Sequence, residues 1–138
     1  EIVQDEKVNI LCHDYSTGII NITVTGGTAP YNYVWKDNFG NVYDRNVGNV
    51  FNDGDLSNIP SGVYDLTVTD ANGCIATFST ELTQPEDLVI DIQKTDLNCY
   101  NSNNGTITIT PSGGIAPYSY SWSDFGNGND RTGLAAGI

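Results

Sequence analysis

Carboxylate and amide side chains, the groups that hold calcium in proteins, are concentrated in one stretch of the chain. Its four aspartates are Asp37, Asp44, Asp53 and Asp55, and the asparagines interleaved with them are Asn38, Asn41, Asn46, Asn49 and Asn52. Calcium takes about six to eight oxygen ligands, and this stretch offers oxygens around the glycine turn at Gly54. A solvated acidic loop has the same composition and is the simpler interpretation. A calcium site built from the four aspartates is the alternative.

Two aromatic residues of the same stretch, Phe39 and Tyr43, have the chemistry to stack on sugar rings. We predict that they lie in a loop and contact a ligand such as a surface polysaccharide. Tyr31, Tyr33 and Trp35 are different, because they recur at every second position. That spacing places them on one face of a strand and indicates core residues.

A hydrolytic Ser-His-Asp arrangement would require His13, the only histidine, with Asp14 to orient it. The repeat described below has Tyr100 at the equivalent position, so the repeat does not depend on an imidazole. Neither a Cys-x-x-Cys pair nor a pair of histidines offers a zinc site. We therefore predict that the chain is not an enzyme.

Charge and composition exclude several classes of partner. The chain has 17 acidic against 5 basic residues, which gives a formal net charge of −12. Nucleic acids and anionic lipids need Lys or Arg to neutralise them, so neither is an expected partner. No apolar run is long enough to span a membrane, and we expect no membrane insertion.

An internal repeat is the strongest pattern in the sequence. When the chain is shifted by 87 residues, residues 7–35 align with residues 94–122 without a gap, and 13 of those 29 positions are identical. Residues 59–63 then match residues 134–138, which leaves the first copy with a 12-residue insertion between Trp35 and Gly62. Repeats of this length indicate a chain of similar small domains.

The alternation of apolar and polar residues predicts β-strands in both copies. Predicted strands lie around residues 20–25, 31–35, 64–69, 74–82 and 88–92, and the second copy repeats the pattern at residues 106–110 and 118–123. A turn is predicted at residues 70–73, and Tyr64 after Gly62 is typical of a tyrosine corner. We predict an all-β fold of tandem immunoglobulin-like sandwiches, residues 1–85 and residues 86–138, with the second incomplete.

The arrangement of glycines, aromatic residues and turn residues in both copies resembles the SprB repeat family. This family occurs in gliding-motility adhesins and other surface proteins of Bacteroidetes. The family pattern is Gly-Gly, Pro-Tyr, Tyr, Trp, then Gly-x-Tyr, a Val/Thr-rich strand and Asp-x-Asn-Gly-Cys. It fits Gly26, Gly27, Pro30, Tyr31, Tyr33, Trp35, Gly62, Tyr64, Val68, Thr69, Asp70, Asn72, Gly73 and Cys74, and in the second copy Gly113, Gly114, Pro117, Tyr118, Tyr120, Trp122 and Gly137. The long segment between residues 36 and 58 departs from the short loop usual in the family.

This resemblance implies a structural and adhesive module of a large secreted adhesin on the outer cell surface. It would serve as spacer and surface-contact unit, exported by the type IX secretion machinery. Its expected partners are neighbouring repeats of the same chain and a surface polysaccharide or other substratum. The alternative is a carbohydrate-binding accessory module of a secreted enzyme.

The extracellular setting that the resemblance implies favours a disulfide between Cys12 and Cys74 within the first copy. Cys99 is the counterpart of Cys12, and a counterpart of Cys74 would follow residue 138. A bridge between neighbouring copies, or free thiols, are the alternatives. Because the second copy has no counterpart of residues 64–82, we expect either that the native chain continues or that another chain donates strands.

Overall fold

The computed structural model describes residues 1–44, 54–123 and 126–136. All the helix or strand structure assigned within these residues is β-strand, and no helix is found among them. The chain divides into two compact units, Glu1–Gln84 (unit 1) and Pro85–Ile138 (unit 2). Within the described residues, no helix has the length and apolarity that crossing a membrane requires. Each unit corresponds to one copy of the repeat.

Unit 1 is a sandwich of two antiparallel sheets. Its strands are β1 (Ile2–Val8), β2 (Gly18–Val24), β3 (Asn32–Asp37), β4 (Val42–Asp44), β5 (Leu56–Ile59), β6 (Gly62–Thr69) and β7 (Ile75–Leu82). One sheet has the order β1-β2-β5 and the other the order β4-β3-β6-β7. This is the immunoglobulin-like arrangement, with β4 paired to β3 rather than to β5. The predicted all-β sandwich is confirmed.

The core of unit 1 lies where the inward rows of the two sheets meet. Alternation puts every second side chain of a strand on the same face, so Tyr33 and Trp35 face inward from β3. Both are almost fully buried, at 4% and 0% exposure. The indole Nε1 of Trp35 donates to the carbonyl oxygen of Gly54 at 2.7 Å. The remaining core side chains are Ile20, Ile22, Leu56, Ile59, Tyr64, Leu66, Val68 and Leu82.

Different contacts close the two ends of the unit 1 sandwich. At the end where β1 and β7 begin, called here the amino pole, the terminal amine of Glu1 donates to the carbonyl oxygen of Thr25. At the end where β1 and β7 finish, the carboxyl pole, the amide of Ile10 donates to the carbonyl oxygen of Thr83 at 2.9 Å. The predicted tyrosine corner is present, because the hydroxyl of Tyr64 donates to the carbonyl oxygen of Pro60 at 2.8 Å. This bond fixes the start of β6.

Unit 2 repeats the first sheet of unit 1. Its strands are β8 (Val89–Thr95), β9 (Gly105–Ser112) and β10 (Asp130–Leu134), in the order β10-β9-β8. Leu134 pairs with Gly105 as Ile59 pairs with Gly18, which matches the alignment of residues 59–63 with 134–138. The indole Nε1 of Trp122 again donates to a glycine carbonyl, that of Gly128, at 2.9 Å.

The strand predicted at residues 118–123 is wrong: none of these six residues has strand pairing. Its counterpart β3 is held between β4 and β6. The described residues of unit 2 contain no counterpart of β6, so the alternating aromatic row has no neighbouring strand to pair with. Alternation alone therefore does not make a strand without a hydrogen-bonding partner.

Candidate functional site

The turn between β3 and β4 is organised around one buried carboxylate, Asp37, which is 7% exposed. Its Oδ1 accepts the backbone amides of Phe39 at 2.9 Å and Asn41 at 2.8 Å. Its Oδ2 accepts the side-chain amide of Asn41 at 2.7 Å and the hydroxyl of Tyr43 at 3.0 Å. Both oxygens are therefore engaged by donors of the protein itself.

Burial and hydrogen bonding act on the pKa of Asp37 in opposite directions. Burial by itself raises the pKa of the carboxyl, but the hydrogen bonds from Asn41, Tyr43 and Phe39 together outweigh it and leave the pKa below its ordinary value. Burial and the neighbouring Asp37 raise the pKa of the Tyr43 hydroxyl. The charged form of Asp37 is thus the form that this turn stabilises.

Phe39 and Tyr43, the predicted ligand contacts, lie in different environments. Phe39 is at the tip of the turn with 69% of its surface exposed. Tyr43 is half-buried, and its ring packs against Tyr64 with the centroids 6.1 Å apart. Since the hydroxyl of Tyr43 is also bound to Asp37, Phe39 is the one of the two that has its ring free for stacking.

The four carboxylates proposed for calcium are only partly described. Asp55 Oδ1 accepts the backbone amide of Ile22 at 2.8 Å. Asp53 and the side chain of Asp44 lie outside the described residues. Among the residues that are described, no three His, Cys, Asp or Glu side chains are grouped so that they could hold a metal ion. The calcium site stays a prediction, and it now depends on Asp44 and Asp53.

The predicted Cys12–Cys74 disulfide is not formed, and both thiols are free and exposed, as is Cys99. Cys12 lies near the carboxyl pole, where the neighbouring Asp14 amide donates to Gln84 Oε1 at 3.1 Å. Cys74 lies at the amino pole, just before β7. The eight residues of β7 separate the two poles by roughly 26 Å. A disulfide requires Cα atoms within about 7 Å, so this pairing does not fit the unit.

His13 lies beside two polar side chains at the carboxyl pole. Its Nε2 is 3.4 Å from Asp14 Oδ1. Its Nδ1 is 3.4 Å from Gln84 Nε2. The predicted Asp14 neighbour is thus present, and the contact with Gln84 links the loop between β1 and β2 to the segment that follows β7.

A second carboxylate, Asp70, joins two turns at the amino pole. Its Oδ1 accepts the amides of Cys74 at 2.8 Å and Asn72 at 2.9 Å, and its Oδ2 accepts the amide of Thr28 at 3.0 Å. The backbone amides of Cys74 and Thr28 hold the pKa of Asp70 below its ordinary value. In the sequence, Asp70 belongs to the family pattern and to the turn predicted at residues 70–73, and its place before Asn-Gly is the signal for this bonding.

Taken together, the two matching units define the chain as a tandem β-sandwich repeat module. The family model described as the SprB repeat matches residues 5–39 and 92–127, just over half of the chain. The chain therefore belongs to the SprB repeat family, as the resemblance predicted, and repeats of this family occur in cell-surface proteins. Comparison with curated proteins and with solved structures gives no match.

Proposed function

We propose that the chain is a structural and adhesive repeat module of a large secreted adhesin of the gliding-motility type. Each unit acts as a spacer, the exposed loops act as surface contacts, and the type IX secretion machinery exports the parent protein. The observation that carries the proposal is the path of the chain through unit 1. It starts at the amino pole in β1 and leaves at the carboxyl pole after β7.

The contacts between β1 and β7 support a load-bearing role. The two strands run in the same direction in opposite sheets, and side chains link them. Thr80 Oγ1 donates to Gln4 Oε1 at 2.8 Å, and Lys7 Nζ donates to the carbonyl oxygen of Glu81 at 3.3 Å. A force that pulls the two ends of unit 1 apart must shear these strands past each other, which loads both of these hydrogen bonds at once.

Single-molecule force spectroscopy on the whole chain tests the spacer role. We expect unit 1 to unfold in one discrete event that releases about 30 nm of chain, since an extended residue spans about 3.3–3.6 Å. The Lys7→Ala/Thr80→Ala double variant should unfold at a lower mean force. The matched control is Lys36→Ala/Thr67→Ala, on β3 and β6, which should unfold near the wild-type force. Gradual extension of unit 1 without a discrete event would contradict the proposal.

The alternative, a carbohydrate-binding module, is favoured by one observation, the ring of Phe39, which is 69% exposed. Glycan-array binding that is lost in Phe39→Ala would support it. Tyr100→Ala is the matched control, because Tyr100 is 95% exposed in unit 2. Absence of sugar binding at millimolar concentration would exclude this alternative. Tyr43→Ala is a poor probe, because it also removes the bond to Asp37.

A further inference from the structure

One edge of the unit 1 sandwich, that of β7, lacks the features that usually protect a strand edge from pairing. Proteins block such edges with charged side chains, bulges or very short edge strands. Strand β1 has Asp5, Glu6 and Lys7, and a bulge between Gln4 and Glu6. Strands β4 and β5, at the opposite edges of the two sheets, have three and four residues. Strand β7 has eight, and residues 75–80 include no charged residue, proline or glycine.

The backbone groups of β7 point alternately toward β6 and toward the free edge. In an antiparallel strand the amide and the carbonyl of one residue point to the same side, and this side alternates along the strand. The carbonyl oxygen of Cys74 accepts the amide of Asp70 at 2.9 Å, on the side of β6. The carbonyl oxygen of Glu81 accepts Lys7 Nζ from β1, on the other side. The odd-numbered residues of β7 therefore point their backbone groups toward the free edge.

Three of these odd-numbered residues are uncovered. The carboxyl end of the edge is closed, because the amide of Ile10 donates to the carbonyl oxygen of Thr83. Nearer the start of β7, Ile75 is 68% exposed, and Thr77 and Ser79 are exposed as well. In the described part of the chain, no strand pairs with β7 on this side. These three residues thus offer their amides and carbonyls to an incoming strand.

An acidic groove lies beside this edge, on the outer face of the sheet. Asp65 and Thr67 of β6 and Thr77 and Ser79 of β7 line it, and its volume is about 330 Å³. Asp65 is exposed and pairs with Ser79 across the ladder. Among the residues that the structure describes, it forms no ion pair, although Lys36 lies opposite it on β3. Because Ser79 is short, a long basic side chain on an added strand can extend across it to the Asp65 carboxylate.

We propose that the free edge of β7 in unit 1 binds an extended basic segment of another protein by strand addition. The segment pairs with Ile75, Thr77 and Ser79 and places a Lys or Arg side chain in the groove beside Asp65. Backbone pairing gives the affinity, and charge selects the partner. A second copy of this chain is a poorer occupant, because each copy has a formal net charge of −12. The inference does not depend on the proposed spacer role.

The peptide Thr-Lys-Val-Lys-Val-Lys-Thr, added to the whole chain, tests the proposal. In an extended strand its lysines share one face and can lie over the groove. We expect amide hydrogen exchange, followed by NMR, to slow at Ile75, Thr77 and Ser79. The amides of Ala76 and Phe78 face β6 and should change little. The matched control Thr-Glu-Val-Glu-Val-Glu-Thr should bind at least about tenfold more weakly, because its charges repel those of the chain.

Variants of the chain separate backbone pairing from charge. Thr77→Pro removes an amide that unit 1 itself does not use, so the edge strand should tolerate it. It should weaken peptide binding about tenfold by removing a hydrogen bond, whereas Thr77→Val should bind like the wild type. Asp65→Asn should weaken binding about two- to fivefold, as expected for an exposed ion pair. Asp5→Asn in β1 removes the same charge elsewhere and should leave binding unchanged.

Four results would overturn the proposal. Unchanged exchange at Ile75, Thr77 and Ser79 in millimolar lysine peptide would show that the edge accepts no strand. Equal protection by the glutamate peptide would exclude selection by charge. Slower exchange on β1 or β5 instead of β7 would place the binding at another edge. Slow exchange at the same three residues without peptide, accompanied by dimers in sedimentation, would make a second copy the occupant.

Discussion

Asp37 and Asp70 each act as the acceptor around which a whole turn of unit 1 is built. A short carboxylate can reach the amides two and four residues ahead of it, and this local bonding closes turns that have little apolar surface. Asp37 does so for Phe39 and Asn41, and Asp70 does so for Asn72 and Cys74. Both carboxylates have structural roles, although the sequence pattern around Asp37 also predicts a metal ligand.

Stability should fall at acid pH because of these two residues. Both folded pKa values lie below the ordinary aspartate value near 3.8. The stabilisation is therefore complete above that value and is lost as the pH falls through the lower folded values. We expect Asp37→Asn to lower the free energy of unfolding at pH 7 by about 1–3 kcal/mol. Urea unfolding between pH 7 and pH 2.5 measures this.

The variants also supply the control. Protonation of the other carboxylates affects wild type and variants alike, so the difference between them isolates each residue. In Asp37→Asn and Asp70→Asn that difference should shrink as the pH falls below 3.8. A difference that stays constant down to pH 2.5 would contradict the assignment of charge to these turns.

Two glycines with similar backbone angles should respond differently to alanine. Gly54 has a φ of +77°, and a Cβ there would lie 2.6 Å from Tyr33 and 2.9 Å from Ile22. Gly73 has a φ of +82° with no atom within 4 Å of that position. We expect Gly73→Ala to cost about 1 kcal/mol, from backbone strain alone. Gly54→Ala should cost about 2–4 kcal/mol, because overpacking adds to it. Equal losses in thermal unfolding would refute the packing at Gly54.

At the scale of elements, alternation located β2, β3, β6 and β7 in unit 1 and β8 and β9 in unit 2, but neither β1 nor β10. The predicted bounds of β2, β3, β6 and β7 lie within two residues of the bounds in the structure. The short strands β4 and β5 were missed because they lie in the acidic segment, where polar composition masks their pairing. The disulfide was wrong for a similar reason, since the distance between two cysteines depends on the course of the whole sandwich.

The acidic segment gives the calcium hypothesis a direct test. If Asp44 and Asp53 help to hold calcium, the melting temperature should be higher in millimolar calcium than in EDTA, because a ligand that binds only the folded state stabilises it. Asp53→Asn should abolish that increase, and Asp130→Asn in unit 2 is the matched control. Equal melting temperatures in calcium and EDTA would contradict a structural site.

At the scale of the whole molecule, the two units differ in how much core they possess. All the fully buried apolar side chains found among the described residues belong to unit 1. Since burial of apolar surface is the main source of stability, we expect unit 2 to melt first. Calorimetry should show two transitions, and a fragment of residues 1–84 should retain only the higher one. The expectation would be contradicted if the whole chain showed a single transition and the fragment melted at a lower temperature. Unit 1 would then depend on unit 2 for its stability.

The two tryptophan–glycine bonds close connections of very different length. The bond spans 19 positions from Trp35 to Gly54 and 6 from Trp122 to Gly128. Loop closure theory assigns this difference only about 1 kcal/mol. The same scaffold thus accepts short and long inserts at one point of its chain. For protein engineering, that point is a natural position for grafting foreign peptides. In evolution, copies of one repeat can change in sequence and length there while they keep the same fold.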